Sequence, residues 1–299
     1  MRRNLFSFLL MVQVICFSVY PLLGWGFNAH KIINREAIHL LPGILGVYFS
    51  HHIDYISSHA IDPDLWRDDP KKYPNEMPGH YIDADLYDVY PFENIPKTFV
   101  ALVKKYGEEK INRWGLAPWR IERYFRMLVN QMRSGQWEGV PLTATALGHY
   151  ISDIHMPLHV VENYNGQLSG NFGIHKRWES DMVDKYLLDK INPNGDLITV
   201  DNPVEEMFKI VKESYRYHLR LLSADSVARE SIPLKEQAKI ADRDASMEGT
   251  SYIEILFRET GDLANQRMET AAVTVASFWY SAWIEAGKPR PPEMVIGEW

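Results

Sequence analysis

Apolar positions recur along most of this chain with the period of amphipathic helices. The segment FNAHKIINREAIHLLPG carries Ile32, Ile33, Ala37, Ile38 and Leu41 on one side and ends at Pro42-Gly43. That pattern predicts a helix with Asn28 as its N-cap, His30 in its first turn and a proline-glycine stop. Residues 44–60 read as a second helix, with His51, His52 and His59 on a mixed face as solvated or core histidines. The stretch 60–92 has prolines at 63, 70, 74, 78 and 91 and reads as irregular. Helical periodicity returns over 96–107 and 118–135, the second with a buried stripe of Ile121, Tyr124, Phe125, Leu128 and Met132. More helices are expected over 141–154, over 175–188 beyond the glycine-rich NYNGQLSGNFG, and over 203–223, 233–242 and 261–286. Leu263, Met268, Ala272, Val275, Phe278, Trp279 and Trp283 give the last of these a core face. No strand alternation, internal repeat or linker between balanced halves is visible, so the expected fold is all-α, a single helical domain.

Composition narrows this picture. At 299 residues and 46% hydrophobic the chain can bury a sizeable core. Net charge is -7, and removal of residues 1–24, which carry Arg2 and Arg3 and no acid, takes it to -9. Such a balance supplies no polycation for nucleic acid backbones, although a metal site adds positive charge that the count omits. Cys16 is the single cysteine, which excludes an intrachain disulfide framework and a cysteine-ligated metal site. The opening MRRNLFSFLLMVQVICFSVYPLLG has two arginines, an apolar run, Pro21 and then Gly24. It predicts a secretory leader over 1–24 cut after Gly24, with Trp25 heading a domain over 25–299 in a secreted or periplasmic protein. The competing reading is a retained anchor, because the apolar run is nearly long enough to span a bilayer. No later segment is long and apolar enough to do so.

The chemistry concentrates in HYISDIHMPLHVVENYNGQLSGNFGIHKRWE, residues 149–179, which hold four of the eleven histidines. His149 and Asp153 are four apart, as are His175 and Glu179, so on helices each pair projects from one face about a turn apart. One such pair alone is ordinarily a surface ion pair or a capped histidine. Two pairs flanking His159 point instead to a metal site, because imidazole and carboxylate are the donors that zinc takes. Asp62, Asp64 and His80 in GHYID form a further cluster in the proline-rich stretch.

Read together, Trp25, His30, Asp64, His80, His149, Asp153, His159, His175 and Glu179 make the chain resemble the zinc-dependent phospholipase C / S1-P1 nuclease superfamily. The resemblance is carried by WGFNAH, by PD followed by HYID, by HYISDIHMPLH and by HKRWE, in the family's order over about half the chain. It implies an all-helical fold with a trinuclear zinc cleft. One zinc would take Asp64, His80, His149 and Asp153. A second would take Asp153 as a bridge, His30, and the free amino group and carbonyl of Trp25, so that cleavage after Gly24 becomes a condition for assembly. The third would take His159, His175 and Glu179. The implied reaction is hydrolysis of a phosphate ester, with Asp64 and Asp153 closest to the chemistry and Asp64 orienting the attacking water or accepting its proton. His155 reads as a supporting or a helix-end residue, Asn171 as a hydrogen-bond donor to phosphate or a turn residue, and Asp62, Asp83 and Asp85 as carboxylates that orient ligating histidines.

The chain departs from each branch of that superfamily. Glu179 follows the bacterial phospholipase C pattern, while IHMPLH and the GN before His175 look more like the nuclease branch, which usually has Gln where Met156 stands. The cysteines of secreted fungal and plant nucleases are absent, and so is the appended lipid-binding β-domain of clostridial toxins. Asp83, Asp85 and Asp88 follow His80 with no nearby lysine, which is unfavourable for a long polyanion. The expectation is a phospholipase C-like phosphodiesterase, with a single-strand nuclease next and a secreted, non-catalytic zinc-binding protein as the alternative from another class. The partner implied is a phosphate-ester substrate, phospholipid or single-stranded nucleic acid, and no stable protein partner.

Overall fold

The computed structural model describes residues 25–241, residue 247 and residues 249–292, and no strand occurs among them. The leader expected over 1–24 lies outside the described residues. The helices are α1 (Phe27–His39), α2 (Gly43–His51), α3 (Ile53–His59), α4 (Asp62–Trp66), α5 (Ala84–Tyr87), α6 (Phe99–Tyr106), α7 (Glu108–Trp114), α8 (Ala117–Arg133) and α9 (Val140–His155). They continue as α10 (Ile174–Lys176), α11 (Val183–Tyr186), α12 (Pro203–Ser231), α13 (Leu234–Ala241) and α14 (Ser251–Glu285). None of them is long and apolar enough to cross a membrane among the described residues.

At the centre stands α9, whose residues are buried on every side except at Leu142. A helix apolar all round belongs in a core, and α9 packs against α1, α3, α8, α12 and α14. Its polar side chains are buried at little cost because they are already paired. Thr145 donates to the Pro141 carbonyl (2.7 Å) and Ser152 to that of Gly148 (2.7 Å), while Trp279 of α14 reaches the Ala144 carbonyl (2.9 Å). The exposed carbonyls of its last turn are also satisfied. Ser214 of α12 donates to Ile154 O (2.6 Å), and the fully buried Arg267 of α14 donates to His155 O (3.0 Å) and to Ser214 (2.8 Å). Arg267 also faces Glu213 at 2.9 Å, so its charge is not left alone in the interior.

Several helix boundaries differ from those that the sequence predicts. Gly26, not Asn28, precedes the first turn of α1, because the chain there runs against Ser180 with no room for a Cβ, which would sit 2.6 Å from Ser180 Oγ. The helix expected over 44–60 breaks at His52, whose φ of -106° and ψ of 13° leave the helical region and whose ring nitrogen meets the Tyr48 carbonyl at 2.9 Å. Within the stretch expected to be irregular lie the short α4, α5 and a 3-10 turn over Met77–His80. The long C-terminal helix starts at Ser251, ten residues before the expected 261, and passes straight through Gly261, where the Phe257 ring fills the place a Cβ would take (2.4 Å).

Gly148 sets how closely α9 approaches α1. A Cβ there would lie 2.1 Å from Asn34 Oδ1, and Asn34 is itself held by its bond to the His30 carbonyl (3.0 Å). Gly148→Ala is therefore expected to destabilise the protein by about 1–3 kcal/mol in chemical denaturation. An unchanged midpoint would mean that the two helices are free to part.

Candidate metal centre

Eight side chains converge from separate elements of this scaffold. α1 brings His30, α4 brings Asp64 and the Met77–His80 turn brings His80. α9 contributes His149 and Asp153 one turn apart, and the turn Pro157–Val160 that follows contributes His159. His175 lies on α10, and Glu179 on the wide i→i+5 turn Arg177–Met182 that joins α10 to α11. All eight residues are buried. Three groups among them bring ligand atoms close enough to hold metal ions: His30 with Asp64 and His149, His80 with His149 and Asp153, and His159 with His175 and Glu179.

Asp153 joins the groups. Its Oδ1 faces His30 Nε2 (3.4 Å) and His159 Nδ1 (3.7 Å), while its Oδ2 faces His80 Nδ1 (3.0 Å) and His149 Nε2 (3.4 Å). Asp64 Oδ1 lies 3.7 Å from both His80 Nδ1 and His149 Nε2. The ring of His30 stacks on that of His149 at 3.9 Å. Around the third group, His159 and His175 approach Nε2 to Nε2 at 3.2 Å, and Glu179 Oε2 is 3.0 Å from His175 Nε2. Trp25 is buried beside this group, its ring 5.1 Å from that of Trp178, and the next amide, Gly26 N, points at the Glu179 carbonyl (3.4 Å).

The orientation of the rings shows what the cluster can accept. Nδ1 of His149 meets the Ala60 carbonyl (2.8 Å), Nδ1 of His159 the His80 carbonyl (2.8 Å) and Nδ1 of His175 the Tyr164 carbonyl (3.0 Å). A carbonyl can only accept, so each Nδ1 carries the hydrogen and each Nε2 turns a lone pair inward. In the third group two such lone pairs and a carboxylate therefore face one another, and among the described residues neither oxygen of Glu179 has a hydrogen-bond donor. Asp64 Oδ2 and Asp153 Oδ1 likewise have no hydrogen bond among the described residues. Acceptors packed this closely without protons between them repel, and a cation between them relieves the repulsion. The donor set thus fits divalent metal ions.

Protonation follows the same environment. Burial pushes Glu179 up to about 8 and His159 down to about 3, and it holds His149 well below the usual imidazole range. His149 and His159 are thereby held neutral, as ligation requires. Burial would also raise Asp153, but His149 and His159 beside it hold its carboxyl well below the usual range. Asp64 is raised by burial despite the guanidinium of Arg67.

Two buried charged residues beside the cluster do not stand out in the sequence. Arg67 places a guanidinium nitrogen 2.6 Å from Asp64 Oδ1, with its side chain 3% exposed. Glu76 is 3.4 Å from the outer nitrogen of His80 and is bound by Arg120. The signals were an i, i+3 and an i, i+4 spacing, hidden in a proline-rich stretch.

Other expected residues do different work. Asn171 donates to the Leu222 carbonyl (2.9 Å), Asp225 (2.8 Å) and Ser226 (2.9 Å), and its Oδ1 accepts from Ser169 (2.7 Å). Its amide clasps the 163–173 loop to α12. His155 meets Thr274 of α14 (3.1 Å). The rings of His149, His159 and His175 are oriented by main-chain carbonyls, whereas Asp62 pairs with His59 (2.8 Å) and Asp85 accepts from Glu162 N (3.0 Å).

No known family model matches the chain, and no curated protein matches it.

Stripping divalent cations with a chelator is expected to lower the melting temperature, and returning zinc to restore it, by about 2.7 kcal/mol when free metal is a hundredfold above its dissociation constant. Asp153→Asn should lose more of this stabilisation than His175→Ala, since it touches more than one group. A melting temperature indifferent to chelator and metal would remove the case for the site.

Proposed function

We propose that the protein is a zinc-dependent phosphoesterase of the phospholipase C / S1-P1 nuclease superfamily, acting on phosphodiesters and closest to phospholipase C. The observation that carries this reading is Asp153, whose two oxygens face different histidines while a His159–His175–Glu179 group adjoins it. The donors are imidazole and carboxylate with no thiolate, a set that suits zinc. Under this reading one ion is held by Asp64, His80, His149 and Asp153, a second by Asp153, His30 and the amino group and carbonyl of Trp25, and a third by His159, His175 and Glu179. Bound zinc supplies Lewis acidity, which neutralises phosphate oxygens and acidifies water.

The chain's own residues supply positioning. Arg67 sets a fixed positive charge against Asp64, at the edge of the cluster, where it can meet a phosphate oxygen. Asp64 is aligned by that guanidinium and can orient water or take its proton. The second ion needs a free Trp25 amine, so the reading includes secretion and cleavage after Gly24. Trp25 is buried within one residue of the contact to Glu179, which supports it.

Protein loaded with zinc and starting at Trp25 is expected to bind three zincs per chain and to hydrolyse phosphatidylcholine faster than single-stranded RNA or DNA. The reverse preference would favour the nuclease branch, and neither activity with zinc bound would leave a non-catalytic zinc protein. Arg67→Gln should lower kcat on the order of 10²-fold with zinc content unchanged. Amino-terminal sequencing of secreted protein that found a start other than Trp25 would count against the second ion.

A further inference from the structure

His80 differs from the other ligating histidines in how it is held. His149, His159 and His175 each turn Nε2 inward and anchor Nδ1 on a main-chain carbonyl. His80 is reversed: its Nδ1 faces Asp153 (3.0 Å) and His149 Nε2 (3.1 Å), so the nitrogen left to anchor it is Nε2, at the far tip of the ring. There it faces Glu76 Oε1 at 3.4 Å and makes no shorter polar contact among the described residues.

Glu76 is built to stay an anion in that place. It is 5% exposed, its Oε2 accepts from Arg120 (2.6 Å) and its Oε1 accepts a short hydrogen bond from Tyr150. Arg120 is fixed in turn, donating to the Asn75 carbonyl (2.7 Å) and lying over the Tyr150 ring. The turn that carries His80 packs directly on the guanidinium, since a Cβ on Gly79 would lie 3.0 Å from its Cζ. Tyr150 follows His149 in α9, so the same helix supplies a ligand and the anchor of the carboxylate that faces another ligand.

We infer that Glu76, clamped by Arg120 and Tyr150, is a positioning residue that fixes His80 with its hydrogen on Nε2 and its lone pair on Nδ1, strengthening it as a metal donor. The inference rests on the metal-binding reading proposed above and not on the activity. A carboxylate on the outer nitrogen orients the imidazole and raises its basicity, and loss of such a partner ordinarily weakens metal affinity by about 10–100-fold. Sequence distance would not suggest the role for Tyr150 or Arg120, which are 74 and 44 positions from Glu76.

The test is competition for zinc between the protein and a chromophoric chelator, with Glu76→Gln and Tyr150→Phe beside the unaltered chain. Glu76→Gln keeps the shape and removes the charge; it is expected to weaken one class of bound zinc by about 10–100-fold and to leave the rest unchanged. Tyr150→Phe, which keeps Glu76 but loosens it, should weaken the same class by less. Cobalt(II) in place of zinc reads the ligand field directly, and its visible spectrum should change in both variants, a shift that a purely structural role would not produce. Equal zinc affinity and an unchanged cobalt spectrum in Glu76→Gln would overturn the inference while leaving the metal centre intact. No zinc bound by the unaltered chain would overturn both.

Discussion

The structure depends on a crowd of electron pairs held where water cannot reach them. Asp64, Asp153 and Glu179 are buried together with five imidazoles, and the anchored rings turn their unprotonated nitrogens inward. An isolated buried carboxylate costs several kcal/mol even after relaxation, so one would expect the groups to move apart or to take up protons. The carboxyl of Glu179, pushed up to about 8 by burial, reflects this pressure. The main-chain hydrogen bonds to His149, His159 and His175 nevertheless keep the acceptors aimed at one another, a geometry that a cation between them would relieve. Under the proposed metal binding, folding and loading would be one equilibrium, in which affinity for the ions is partly the relief of repulsion that the fold imposes.

That imposition requires a scaffold that does not yield. α9 is packed on all sides and its carboxyl end is held by Ser214 and Arg267 from two other helices, so the step from Asp153 to His159 across Pro157 is fixed at both ends. The connection also runs both ways between the groups. His159 Nδ1 binds the His80 carbonyl while Ile82 N binds the His159 carbonyl (2.9 Å), so the backbone around one group's ligand orients a ligand of another.

What could be read in the sequence divides along physical lines. His149 with Asp153 and His175 with Glu179 were legible because local helix geometry alone puts i, i+4 side chains on one face. The all-helical class was legible from periodicity, but boundaries were not: the last helix was expected from 261, yet it begins at Ser251 and runs through Gly261 beside the Phe257 ring, a packing fact that the local pattern does not contain. The 177–182 segment follows the helical pattern but widens to an i→i+5 turn at Glu179, which periodicity cannot distinguish. Asn171 read equally as phosphate donor or turn residue because its deciding partner, Asp225, lies 54 positions away. Glu76 and Arg67 were lost because five prolines mask short helical spacings; the turn over Met77–His80 and α4 restore them.

Under the proposed function an acidic chain would have to accept an anionic substrate. A net charge of -7 argues against polyanion binding when it is spread over a surface, but a pocket is governed by its own charges and by the dielectric around them. Glu76 and Arg120 neutralise each other, which leaves three ligand carboxylates against Arg67. Under the proposed loading, three divalent ions would leave the pocket positive by roughly four charges, concentrated in a low-dielectric interior where they act strongly at short range. The acidic exterior would then repel a long polyanion while the interior draws in a single phosphate group. On electrostatics alone this favours a substrate with one accessible phosphodiester, such as a phospholipid headgroup, over a strand that must lay many phosphates along the surface.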